Sequence, residues 1–122
     1  MINRIEITSI NGELGADIKK YIQRKIGRLD RYISKKARQS VRAEVKIGQT
    51  NTKNNDKYEC EVILHLPGQQ LVANESTLNM FAAVDIVESK MKTQLHKYKE
   101  QHEVQRVGRL SLLARLRRFS QK

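Results

Sequence analysis

Lys57-Tyr58-Glu59-Cys60-Glu61-Val62-Ile63-Leu64-His65-Leu66 alternates with period two. Tyr58, Cys60, Val62, Leu64 and Leu66 point one way, and Glu59, Glu61 and His65 the other, so the stretch reads as a strand with one face on a core. Pro67-Gly68 follows as a turn and Gln70 to Asn74 as a short return strand. Upstream, Val41, Ala43, Val45 and Ile47 alternate with Arg42, Glu44 and Lys46, a second half-buried strand over 40–47. A polar loop, Gly48 to Asp56, separates the two. Residues 2–8 alternate as well, and Asn11-Gly12 ends them.

Between the first two strands the period becomes helical. Over residues 14–36, Leu14, Ile18, Tyr21, Ile22, Ile26, Leu29, Tyr32 and Ile33 share one arc of a single predicted helix. Lys20, Arg24, Arg28, Arg31 and Lys35 recur at steps of three and four and form a basic stripe beside it. Lys25 and Lys36 project from within the apolar arc, where their stems can lie on the core. Ser76 to Asn79 offers N-cap chemistry for a second helix running to about residue 101, with Met80, Ala83, Val84, Val87, Met91, Leu95 and Tyr98 as its apolar stripe. The order is β-α-β-β-β-α. The economical packing is an α+β two-layer sandwich, a four-stranded sheet with two helices side by side on one face. Basic residues at the stripe edges then line the groove between the helices.

The chain has 122 residues, one domain's worth, with 24 Lys and Arg against 13 Asp and Glu, a net charge of +11. The excess lies in two blocks: residues 14–38 hold nine bases and two acids, and residues 104–122 six bases and no acid. Such blocks favour a polyanionic partner over simple solvation. No apolar run approaches a membrane span, and no signal-type segment leads the sequence. Cys60, the single cysteine, excludes internal disulfides and reads as core. His65, His96 and His102 are scattered, Asp85 and Glu88 have nothing convergent with them, and there is no P-loop or GxGxxG. The expectation is a non-enzymatic cytoplasmic protein with no cofactor, no metal, no small-molecule substrate and no membrane. Its nucleic-acid partner is folded RNA read through the backbone, because the strands carry no aromatic ladder for stacking unpaired bases.

The second helix carries a more specific signal. Asn79-Met80-Phe81-Ala82-Ala83-Val84-Asp85, then Lys90-Met91, Gln94-Leu95 and Lys97-Tyr98-Lys99, resembles the signature of the ribosome hibernation-promoting factor and ribosome-associated inhibitor A (sigma-54 modulation protein) family. Ile18 to Tyr32 and Leu66-Pro67-Gly68 are similar to it too, so the resemblance covers about residues 1–101. It implies a short-form factor, monomeric off the ribosome, that binds the 30S subunit of the 70S ribosome. There it lies in the messenger and tRNA path against 16S rRNA, and inhibits translation in stress or stationary phase. By position the family's basic residues fall on Lys25, Arg28, Lys90 and Lys97; the stripe adds Lys20, Arg24, Arg31 and Lys35. Lys92 stands one place before Thr93, where the family has an arginine. Residues 102–122 form a basic tail beyond this ribosome-binding domain, with apolar residues all round its helical wheel. The rival readings are a regulator acting on a sigma factor or RNA polymerase, and a generic double-stranded-RNA binder.

Overall fold

A computed structural model of the chain describes residues 1–11, 15–51 and 56–120, the side chains of residues 51, 56 and 101–120 excepted. Four strands, β1 (Ile5–Ser9), β2 (Arg42–Asn51), β3 (Asp56–Leu66) and β4 (Gln69–Thr77), form one sheet in the order β1-β2-β3-β4. β1 runs parallel to β2, with Ile5 opposite Ala43 and Ser9 opposite Ile47. A parallel pair needs a crossover, and α1 (Ala16–Gly27) supplies it. The other pairs are antiparallel: Arg42 faces His65, and Leu66 faces Gln69 across the two-residue turn Pro67-Gly68. Gly68 takes φ 74°, a left-handed conformation that glycine adopts without a Cβ penalty. α3 (Met80–Ser120) packs on β3, β4 and α1. The α+β two-layer sandwich is thus the architecture the sequence implies.

Strand parity holds throughout. Val41, Ala43, Val45, Ile47, Cys60, Val62, Leu64, Leu66, Leu71 and Ala73 are buried beneath the helices, which contribute Ile22, Ile26, Val84, Val87, Met91 and Leu95. Asn79 caps α3, its side-chain oxygen accepting from the amides of Phe81 (2.8 Å) and Ala82 (3.3 Å).

Two expectations are corrected. The single helix over 14–36 is broken: α1 ends at Gly27, a 3-10 turn covers Arg28–Tyr32, Ile33 is extended, and a short α2 (Lys35–Arg38) begins after Ser34. The side chain of Ser34 accepts from the amide of Ala37, and Arg38 Nε donates to the carbonyls of Asp30 (2.8 Å) and Ile33 (3.0 Å). These bonds satisfy the broken ends locally. Leu29, Ile33 and Ala37 stay buried, so the apolar pattern survives the break. Second, β2 and β4 outlast their apolar runs. The Asn11 side chain bonds both backbone groups of Gln49, donating to its oxygen (2.6 Å) and accepting from its nitrogen (2.8 Å), and so stands in for a neighbouring strand. Gly12 and Leu14, and the loop at 52–55, lie outside the described residues. The backbone of α3 is helical through most of the tail expected at 102–122; the tail's side chains lie outside the described residues.

Candidate nucleic-acid interface

The groove between α1 and α3 is built by one flank of each. α1 and the 3-10 turn present Tyr21, Lys25, Arg28, Arg31 and Tyr32. α3 presents Phe81, Asp85, Glu88, Lys92 and His96, which recur every three or four residues along one side. At its centre Lys25, Arg28, Arg31, Tyr32, Glu88 and Lys92 surround a shallow cleft floored by Leu29. The cleft holds about 40 Å³. A small-molecule site needs ~300 Å³ or more, so this feature suits a charged group resting on a surface.

Aromatic rings hold the cations in place. Lys92 Nζ lies 5.5 Å from the centre of the Tyr32 ring, whose edge meets His96 at 5.4 Å. Arg24 and Lys25 lie 5.4 and 5.6 Å from the Tyr21 ring. Arg28 Nε donates to the Arg24 carbonyl at 3.3 Å. The Lys25 ammonium is 3.4 Å from Asp85, and the Tyr21 hydroxyl donates to the same carboxylate. That hydrogen bond, with burial and the Asp85 charge, pushes the Tyr21 phenol above its ordinary range, so it stays a donor at neutral pH. Four cations thus converge with one acid, Glu88, beside them and Asp85 at their edge. A phosphate arriving there meets Lys25 and Lys92, half-buried and set against aromatic rings, with the exposed Arg28 and Arg31 beside them.

The expected site residues are not all brought together. Lys25, Arg28, Arg31 and Lys92 share the cleft, and Arg24 sits at its rim. Lys20 is exposed on α1, and the break in the helix carries Lys35 onto α2. Lys90 is turned away: its ammonium bonds the Glu75 carboxylate at 2.7 Å and donates to the Asn74 carbonyl at 3.0 Å, both on β4. The Lys90 bond holds the Glu75 carboxyl below the usual carboxylate range. Gln94 likewise reaches the Val72 carbonyl of β4 at 2.7 Å. Lys97, seven residues after Lys90, falls on the same flank. The expectation that Lys90 flanks the interhelix groove is therefore corrected; it borders the β4 edge, and Lys92 takes the groove position. Asp85, read from sequence as having no convergent partner, has two, Tyr21 and Lys25. Their i,i+4 spacing on α1 was visible, but their facing of Asp85 required the packing.

Catalytic chemistry finds no centre among the described residues. No group of three His, Cys, Asp or Glu side chains there is placed to hold a metal ion. No described helix is long and apolar enough to cross a membrane. A wider depression of about 440 Å³, lined in part by Lys46, Glu59, Glu61, Glu75 and Lys90, has more acids than bases and is a poor seat for a polyanion. Burial pushes the Cys60 thiol from 9.0 up to about 12, so it is protonated and inert at neutral pH. Iodoacetamide at pH 8 should leave folded protein unlabelled and modify Cys60 only as denaturant unfolds it, as followed by mass spectrometry. The unfolded chain releases this proton near pH 9 and the folded one near 12, so this thiol's contribution to stability falls with rising pH between those values.

Comparison with known proteins agrees with the fold. Residues 5–103 match the family model described as sigma 54 modulation protein / S30EA ribosomal protein. A ribosome hibernation promotion factor of Deinococcus radiodurans is 30% identical over 102 residues, 83% of this chain and 51% of that protein. One of Staphylococcus aureus is 31% identical over 96 residues, 79% of this chain and 48% of that protein. The chain therefore spans about half the length of these curated relatives. Among solved structures, the N-terminal domain of Thermus thermophilus Protein Y superposes with a TM-score of 0.60 at 25% identity, covering 78% of this chain and 98% of that one. A ribosomal subunit interface protein from Coxiella burnetii superposes with a TM-score of 0.61 at 24% identity, covering 80% and 98% of the two chains, and bears on the fold alone.

Proposed function

From the premise that this chain belongs to the sigma 54 modulation protein / S30EA ribosomal protein family, we propose that it is a non-enzymatic ribosome hibernation factor. It binds the small subunit through the interhelix cleft and excludes messenger RNA and tRNA, holding idle ribosomes inactive in stress or stationary phase. The observation that carries the proposal is the convergence of Lys25, Arg28, Arg31 and Lys92 on one cleft between two helices. Phosphates of 16S rRNA are the ligands of these four side chains. Lys20, Arg24 and Lys35 extend the positive field along the same chain segment and steer encounter more than they fix register. Lys90, held by Glu75 and Asn74, and Lys97 on the same flank of α3 stand outside this contact.

The test is sedimentation of purified protein with 30S subunits and 70S ribosomes at moderate salt, with competition by a messenger leader plus initiator tRNA. Co-sedimentation that those ligands relieve, with affinity well above that for a generic RNA duplex, is the expected result. Equal affinity for the duplex would favour a free double-stranded-RNA binder. Capture by RNA polymerase in place of ribosomes would favour a transcriptional regulator.

A further inference from the structure

The N-terminal end of the interhelix groove differs in chemistry from the cationic cleft. Phe81, in the first turn of α3, leaves 40% of its surface exposed although it is a large apolar residue. Its ring meets Tyr21 at 4.9 Å with the planes at 76°, an edge-to-face pair. The Tyr21 hydroxyl is tied to Asp85, and the Arg24 and Lys25 cations lie against the Tyr21 ring. Tyr21 is thus held by three neighbouring groups, while part of Phe81 remains open. Leu78, just before the helix, is 73% exposed.

A phosphate is a poor occupant here because the Asp85 carboxylate repels it. An apolar protein side chain would gain nothing from the flanking Arg24 and Lys25. A nucleobase fits both features: it is flat and uncharged and stacks on an open ring, and a neighbouring phosphate meets the Arg24 and Lys25 cations on the α1 side. We infer that Phe81, braced by Tyr21, is a stacking platform for one unpaired nucleobase of the RNA that runs along the groove. The inference rests on the RNA-binding reading above and adds a contact that is not electrostatic. Every base offers a π face, so the platform tolerates sequence.

The chain has no tryptophan, so Phe81→Trp places a single reporter at the site. Its fluorescence is titrated with a short single-stranded oligoadenylate and with an abasic ribose-phosphate chain of equal length and charge. Quenching by the oligoadenylate, with none by the abasic chain, is the expected result. Phe81→Ala and Phe81→Leu should each weaken oligoadenylate binding roughly ten-fold while Phe81→Tyr retains it, since a stacked base contributes through the ring's face. Equal binding of the two chains, or an unchanged affinity in Phe81→Leu, would overturn the inference. So would a loss of 30S binding in Phe81→Ala with oligoadenylate affinity intact, which would assign Phe81 to a protein contact. Because the oligonucleotide titration needs no ribosome, stacking in a protein that fails to sediment with ribosomes would support this inference and contradict the hibernation reading separately.

Discussion

Replacing Lys25 and Arg28 together with glutamate should cut ribosome affinity by a hundred-fold or more. Each side chain lines the cleft, and a charge-assisted hydrogen bond to phosphate contributes about 1.5–3 kcal/mol. Two lost contacts thus amount to about 3–6 kcal/mol before any repulsion between the new carboxylates and the RNA backbone. Lys25→Glu also sets a carboxylate beside Asp85, at present 3.4 Å from the ammonium, so the double glutamine variant is the gentler companion. It should lower the slope of log affinity against log salt by about two units, one for each phosphate contact. Lys90→Gln supplies the contrast. Lys90 is engaged with Glu75 and Asn74 on the other flank of α3, so its loss should change affinity by less than about two-fold, and an exposed ion pair contributes little to stability. Equilibrium sedimentation across a salt series, with thermal unfolding to verify folding, checks all three variants. A Lys90→Gln effect equal to that of the double glutamine variant would move the RNA contact to the β4 edge.

The largest effect on stability is expected at Leu64. Its side chain is fully buried, and on the sheet Leu64 faces Ala43 on one side and Leu71 on the other, beneath the helices. Leu64→Ala removes buried methyl groups and leaves a cavity that the close-packed surroundings only partly fill. The cost is ~2–5 kcal/mol, a large share of the ~5–15 kcal/mol that holds a domain folded. Val72 lies one residue beyond Leu71 on the same strand but points to the uncovered face, where it is 45% exposed. Val72→Ala should cost less than about 1 kcal/mol, because most of its surface already meets water. Urea unfolding followed by circular dichroism measures both. Similar losses at the two positions would mean that the opposite face of the sheet is covered in solution.

Strand parity was fully legible in the sequence because burial on one face of a sheet forces period two, and a slip of one residue would expose the whole set. Val41 through Ile47 and Tyr58 through Leu66 therefore showed which face of each strand is buried before any coordinate, while the strand order β1-β2-β3-β4 came from the structure. Polar extensions such as Gly48-Gln49-Thr50 were not legible: their pairing follows from Tyr58 and Lys57 opposite and from the distant Asn11 side chain. The helix break at Arg28–Tyr32 escaped for a related reason. Leu29, Ile33 and Ala37 keep an i,i+4 rhythm across it, while the capping by Ser34 and Arg38 is a set of individual hydrogen bonds that no periodicity reports.

At the site, the cations of the first helix were readable as a charge block, and Lys25 and Arg28 do face the groove. The side of α3 that meets α1 was not readable. Lys90 and Lys92 both border the apolar stripe, about 200° apart round the helix, and either edge was an equal match for a groove until β4 claimed Lys90. The acids taught the same lesson, since Asp85 reads as an isolated surface carboxylate until α1 brings Tyr21 and Lys25 against it.

The most direct test places a photo-reactive amino acid at position 92 and irradiates the protein bound to 70S ribosomes. The account predicts a crosslink to small-subunit ribosomal RNA that messenger and tRNA suppress, and none from the same group at position 90. Crosslinks from position 92 to ribosomal protein alone, or an RNA crosslink from position 90 but not 92, would contradict it.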